Sequence, residues 1–266
     1  TGLFTHLHER WAALFDVKHD VLLYDLTSTY FESNPPFGEE DKRKFGYSRD
    51  KRSDCVQVVV ALIVTPEGFP LAYEVLAGNT ADKTTLKDFL KKIEVQYGKA
   101  SRIWVMDRGI PTEAVLQEMR QSDPPVWYLV GTPKGRLSRL EERLTTLAWQ
   151  QVREGVAVKF VPDEGELYVL AQSRDRVSKE RAMRRRQLKI LWKRLKQLQE
   201  MKPKRDALLL KLGAARQQSP SAWRLVDLDL PAPNGPLRFA LRKDRLREAR
   251  RREGRYLLRT NLTDTD

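Results

Sequence analysis

The chain has 266 residues, 41% hydrophobic and 32% charged, enough for one large domain or for a core carrying a substantial insertion. No apolar run approaches the roughly 20 residues that a membrane-spanning helix needs, and residues 1–20 lack the basic start and apolar middle of a signal peptide, so neither a membrane helix nor an export signal is expected in these residues. The formal charge of +13 is uneven: residues 1–131 hold 16 Lys/Arg against 19 Asp/Glu and residues 132–266 hold 33 against 17, so the basic half points to a polyanionic partner, nucleic acid ahead of an acidic membrane surface.

Residues 21–32, VLLYDLTSTYFE, read as a strand with Asp25 in its middle. Residues 33–54 hold Pro35, Pro36, Gly38 and Gly46 among many charges and read as a long loop. The apolar run from Cys55, CVQVVVALIVT, predicts a buried strand. Pro66, Glu67 and Gly68 then turn the chain into FPLAYEVLAG, which makes the second and third strands an antiparallel hairpin. Leu86, Phe89, Leu90 and Ile93 lie at helical spacing, with Thr80 or Asp82 as the cap. RIWVMD (102–107) is a short strand ending in an acid. Arg108 and Gly109 form a turn, Pro111 suits the first turn of a helix, and VWYLVG (126–131) returns as a parallel strand through a right-handed crossover. This β β β α β α β order is that of an RNase H-like α/β core with a mixed five-stranded sheet.

Beyond Gly131 the sequence turns to basic helices with strand-like pieces at 156–161 and 167–173, the pattern of a basic α+β insertion over 132–254. Leu188, Leu191, Leu195 and Leu198 predict an amphipathic helix over 178–201 that ends before Pro203, and 204–216 predicts a second helix folding back on it. LRFAL (237–241), the Arg-rich stretch 242–252 and RYLLRT (255–260) read as a return to strand structure, with 255–266 the start of the way back to the core.

An acid inside one central strand and another at the carboxyl end of its neighbour suit two-metal phosphoryl chemistry, because hard cations such as Mg²⁺ take carboxylate oxygens. Asp25 and Asp107 are those acids. Taken singly, each has a plainer role, Asp25 facing solvent from an amphipathic strand and Asp107 opening a helix. The one cysteine, Cys55, reads as a buried inert thiol, and the absence of any intramolecular disulfide suits a reducing cytoplasm. His6 and His8 have no companion ligands for zinc.

The segments YDLTSTYFE, LAGNTADKTTL and VMDRGI, in this order and spacing, resemble the DDE transposases of bacterial insertion sequences, in the branch whose RNase H-like core is interrupted by a β-containing insertion. The resemblance covers residues 20–131 and, more faintly, 255–262. It implies metal-dependent hydrolysis at transposon ends followed by strand transfer, with Asp25 and Asp107 as the first two acids of the triad and as metal ligands. It further implies Mg²⁺ with Mn²⁺ as substitute, double-stranded DNA as partner, a homodimer in the DNA complex, and a nucleoid-associated cytoplasmic location. Other readings are an RNase H-like nuclease without strand transfer and an inactive DNA-binding or assembly module.

The family's third acid is a Glu within a Tyr, Arg, Glu, Lys signature. Tyr256 and Arg259 match its Tyr and Arg, but Thr263 falls where the Glu would be, so the expectation is a Glu beyond residue 266 rather than Asp264 or Asp266. A DNA-binding region before Thr1 is expected as well. Candidate phosphate contacts are Lys42, Arg43, Lys44, Arg49, Lys51 and Arg52 in the loop after the first strand, Arg108 after the second acid, and Arg184, Arg185 and Arg186 in the insertion. Asn79 and Asp82 resemble a family segment and also suit a turn and a helix cap.

Overall fold

The computed structural model describes residues 2–16, 20–33, 38–47, 52–80, 86–97, 102–132, 134–230 and 235–263. In chain order the elements are α1 (Gly2–Phe15), β1 (Val21–Phe31), β2 (Val56–Val64), β3 (Pro70–Ala77), α2 (Leu86–Tyr97), β4 (Ile103–Met106), α3 (Glu113–Gln121), β5 (Trp127–Gly131) and α4 (Lys134–Thr146). They continue with β6 (Gln150–Arg153), β7 (Val156–Asp163), β8 (Glu166–Ser173), α5 (Arg174–Met201), α6 (Arg205–Gln218), α7 (Pro220–Trp223), β9 (Val226–Asp229), β10 (Arg238–Leu241), α8 (Lys243–Arg251) and β11 (Arg255–Thr260). The chain forms two compact units. The first comprises Thr1–Leu147, Phe160–Val169 and Leu257–Asp266, and the second Ala148–Lys159 and Leu170–Tyr256.

In the first unit the strands run in the order β3-β2-β1-β4-β5-β11. β1 is antiparallel to β2 and parallel to β4, β4 is parallel to β5, and β11 returns antiparallel to β5. The first five of these strands are the RNase H-like sheet, and the sheet continues past them. Alternation along β1 assigns its faces: Leu22, Tyr24 and Leu26 are buried, while Asp25, Thr27 and Thr29 are exposed. The buried face meets Leu86, Phe89 and Ile93 of α2 and Leu116 and Met119 of α3 in one apolar cluster, the main source of this unit's stability. The β2–β3 hairpin closes as the sequence predicts, with Gly68 at φ +95° and the Thr65 amide donating to the Phe69 carbonyl. α3 begins two residues later than Pro111 suggests, because the Thr112 hydroxyl caps it by accepting from the Val115 amide at 3.3 Å.

The loop after β1 is tied to the sheet. Gln57 of β2 pairs with Tyr30 on one side, and on the other, where β3 has ended, with Lys44. The buried Gln57 side chain donates to the carbonyls of Gly78 and Tyr47. A Cβ on Gly46 or Gly78 would overlap backbone oxygens, so glycine is what allows these segments to approach.

The second unit holds 28 Lys/Arg against 10 Asp/Glu, net +18, while the first holds 21 against 26, net −5. β6 and the first half of β7 form a hairpin turned at Gly155, φ +72°. α5 starts four residues earlier than the leucine pattern indicates because Ser173 caps it. Leu191, Leu195 and Leu198 pack against Leu212 and Ala215 of α6, Ala222, Val226 and Leu237, and Trp192 meets Phe239 edge-on at 4.9 Å. The Arg-rich stretch 242–252 is corrected by the structure: Lys243–Arg251 is the helix α8, not a strand. Its residues are mostly good helix formers, Asp244 sits in the first turn and Arg250 and Arg251 in the last, which complements the helix dipole.

Candidate active site

Parallel pairing of β1 with β4 makes register partners of Leu23 and Val105, and of Tyr24 and Met106. Asp25 and Asp107 are the next residue along each chain. Register partners point to the same side of a sheet, and Tyr24 and Met106 are buried in the core, so both acids emerge on the opposite, exposed face. Neighbouring strands lie about 4.8 Å apart, so the two acids follow register-paired residues on adjacent strands. Each is steadied from its own backbone: the Leu26 amide donates to Asp25 Oδ1 at 2.9 Å, and the Arg108 amide to Asp107 Oδ1 at 2.7 Å. Gly131, at the end of β5, makes room for the turn, since a Cβ there would lie 3.1 Å from the Arg108 backbone nitrogen and Cβ.

The donor set is two hard carboxylates on one face, and neither makes an ion pair among the described residues. Adjacent like charges without a protein cation between them suit a divalent cation. Among the described residues no group of three or more His, Cys, Asp or Glu is assembled. Thr263 is exposed, and Asp264 and Asp266 lie outside the described residues.

The basic loop residues are largely engaged within the protein. Lys42 Nζ donates to the Val75 carbonyl at 2.7 Å, and Lys44 Nζ to the Glu39 carbonyl at 3.4 Å. Arg43 grips Asp41 through Nε at 3.0 Å while stacked 6.0 Å over the Phe31 ring, and this guanidinium holds the Asp41 carboxyl down at about 2. Arg52 bonds Asp54 and Glu32 and lies 4.9 Å over Tyr30. The loop meets the sheet beside Tyr30, five residues and about 17 Å along the strand from Asp25. Arg49, Lys51 and Asp82 lie outside the described residues. Arg108 is exposed beside Asp107, and in the second unit Arg185 and Arg186 are exposed whereas Arg184 turns inward to pair with the buried Glu253.

Sequence reasoning missed a buried polar network in the first unit. Arg259 of β11 donates to Glu113 at the start of α3 (2.8 Å) and to Glu166 of β8 (3.3 Å). Glu166 also accepts from the Tyr128 hydroxyl and from Arg120 at 3.1 Å. Burial, and then the Glu166 carboxylate, push the Tyr128 phenol well above its usual pKa. Asn261 anchors the strand end, accepting from the Tyr128 amide and donating to the Val126 carbonyl. Arg259 and Asn261 thus fix the returning strand. The Tyr256 ring, in the second unit, carries the Arg176 guanidinium at 5.1 Å.

A mixed sheet in the order 3-2-1-4-5, with an acid in its central strand and another at the end of the adjacent parallel strand, defines an RNase H-like fold of the kind that carries phosphoryl-transfer sites. The model of the transposase DDE domain family matches residues 16–205, and the chain belongs to that family. Among solved structures it is similar to a piggyBac transposase synaptic complex with hairpin DNA, at 12% identity and a TM-score of 0.38, covering 65% of this chain and 36% of that one. No curated protein matches the chain.

Proposed function

We propose that the first unit is the catalytic part of a DNA transposase, which cuts phosphodiester bonds at transposon ends and joins the freed 3′-hydroxyls to target DNA. The observation that carries this reading is the register that brings Asp25 and Asp107 to one exposed face of adjacent strands. Their carboxylates would hold Mg²⁺, or Mn²⁺ in its place. A bound divalent ion supplies activation of the attacking oxygen and stabilisation of the departing one. The chain's own work is positioning: the Leu26 and Arg108 amides orient the two acids, and the Arg259 network holds the start of α3, six residues after Asp107. The exposed Arg108 would meet a phosphate next to the acids. Duplex DNA is the partner, drawn by the +18 second unit. The family's Glu is not matched at Thr263, so a further carboxylate is needed for the full donor set.

The test is a cleavage and strand-transfer assay with the full-length protein on DNA carrying the element's ends. Metal-dependent cleavage and joining that vanish in Asp25→Asn and Asp107→Asn support the reading. Activity that survives either substitution contradicts it, and nicking without joining reduces it to a nuclease.

A further inference from the structure

A cleft of about 710 Å³ in the second unit is lined by Arg184 and Gln187 of α5, by Arg224 just after α7, and by Arg242, Arg245 and Arg252 at and within the ends of α8. Its acids are Glu180 and Glu248, and both are already committed. Glu180 accepts from Arg176 and from the Gly254 amide, each at 2.9 Å, and Glu248 is shared between Arg245 and Arg252. Arg224 makes no ion pair among the described residues. Of the other lining arginines, Arg184 pairs with Glu253, Arg242 with Asp227 at 3.0 Å, and Arg245 and Arg252 share the single carboxylate of Glu248, so Arg224 keeps its full charge and the last two are half neutralised.

The cleft is also built rather than incidental. The Arg184 side chain is 12% exposed and is held by Glu253, itself 3% exposed, which also takes Arg181 at 3.2 Å. Burial first, and then the guanidiniums of Arg250, Arg181 and Arg185, push the Arg184 pKa below its ordinary value. The Gln187 Oε1 atom is buried without a hydrogen-bond partner, and turning that amide over would offer its N–H donors instead. Met183, Leu225 and Ala249 give the lining an apolar portion.

We infer that this cleft seats a stretch of DNA backbone, with phosphodiesters on the arginines and deoxyribose against Met183 and Leu225. The inference rests on the DNA-processing reading and gives it a specific contact surface. Planar guanidiniums grip phosphate oxygens in pairs, and a volume of this size suits sugar and phosphate together rather than a lone ion. The outward arginines Arg185 and Arg186 are not part of it.

The experiment measures binding of the full chain to a labelled mixed-sequence duplex by fluorescence anisotropy across a KCl series. Arg224→Ala/Arg245→Ala should weaken binding about tenfold or more and reduce the slope of log K against log salt by about 2, near 0.9 for each lost phosphate contact. Lys204→Ala/Arg216→Ala, which removes the same charge from the second unit outside the cleft, should cost less than about threefold. Arg224→Lys/Arg245→Lys should recover most of the slope, which separates lost contacts from a damaged fold. If wild type binds and the two alanine pairs behave alike, the cleft is not the contact, although the DNA reading stands. If wild type does not bind duplex at low salt, both fall. Thermal stabilisation by micromolar inorganic pyrophosphate would instead mark a small-phosphate site and overturn the assignment.

Discussion

Asp25 and Asp107, 82 positions apart in the chain, each lie one residue beyond a register-paired neighbour, Tyr24 for the first and Met106 for the second. Both emerge on the exposed face of the sheet, so their charges are separable from the packing that holds the strands. Replacing either with Asn should therefore leave stability within about 0.5 kcal/mol, as for exposed positions generally. Cleavage should fall by about 100-fold or more, the equivalent of about 3 kcal/mol of lost transition-state stabilisation. Urea melts and a cleavage assay on the same preparations check the two halves of this prediction.

The Arg259 network should behave in the opposite way. Arg259→Met removes the cation shared by Glu113 and Glu166 and leaves a buried carboxylate undercompensated, with an expected loss of about 3 kcal/mol in equilibrium urea unfolding. Arg259→Lys should restore little, because an ammonium cannot span both acids as the guanidinium does.

Tyr128 gives this network a pH signature. An unfolded tyrosine ionises near pH 10, whereas the folded phenol, raised by burial and by Glu166, stays protonated. Above about pH 10 the unfolded state therefore binds fewer protons than the folded one, and stability falls as pH rises. Tyr128→Phe should flatten that alkaline slope. At pH 7 the same variant should be less stable by about 1–3 kcal/mol, because Glu166 loses a donor. Unfolding midpoints measured from pH 8 to 11 for both proteins decide it; equal slopes would count against the assignment.

Gly78→Ala should release the loop after β1. The added Cβ would press on the Gln57 and Lys44 carbonyls, at a cost of about 1–3 kcal/mol for overpacking. Hydrogen exchange at the Lys44 and Gln57 amides, which bond each other's carbonyls at 3.0 and 2.9 Å, should quicken first.

The parts of the fold legible in the sequence are those set by local pattern. Alternation gave β1, the Pro66–Gly68 turn gave the hairpin, and leucine spacing gave the body of α5. The two candidate acids stand out in the sequence because each closes or interrupts an apolar run. The long-range network does not, since Glu113 and Arg259 stand 146 positions apart and no spacing links them. Arg259 could be read as a signature position, but its burial depends on β11 pairing with β5. The stretch 242–252 misled because it lies between two apolar pieces that are strands, while its own Arg, Leu, Glu and Ala residues favour a helix. The loop cations were read as candidate phosphate contacts because no spacing marks their partners inside the protein, the carboxylates of Asp41 and Asp54 for Arg43 and Arg52 and the Val75 and Glu39 carbonyls for Lys42 and Lys44.

The central claim, that Asp25 and Asp107 serve one divalent-metal site, is tested most directly by letting Fe²⁺ take the place of Mg²⁺ and mapping where ascorbate and peroxide cut the polypeptide. Carboxylate sites accept either ion. Two cuts are expected, one beside Asp25 and one beside Asp107, both suppressed by excess Mg²⁺ and both lost together in Asp25→Asn. Cutting at only one of the two positions, or a cut beside Asp107 that persists in Asp25→Asn, would contradict a shared site.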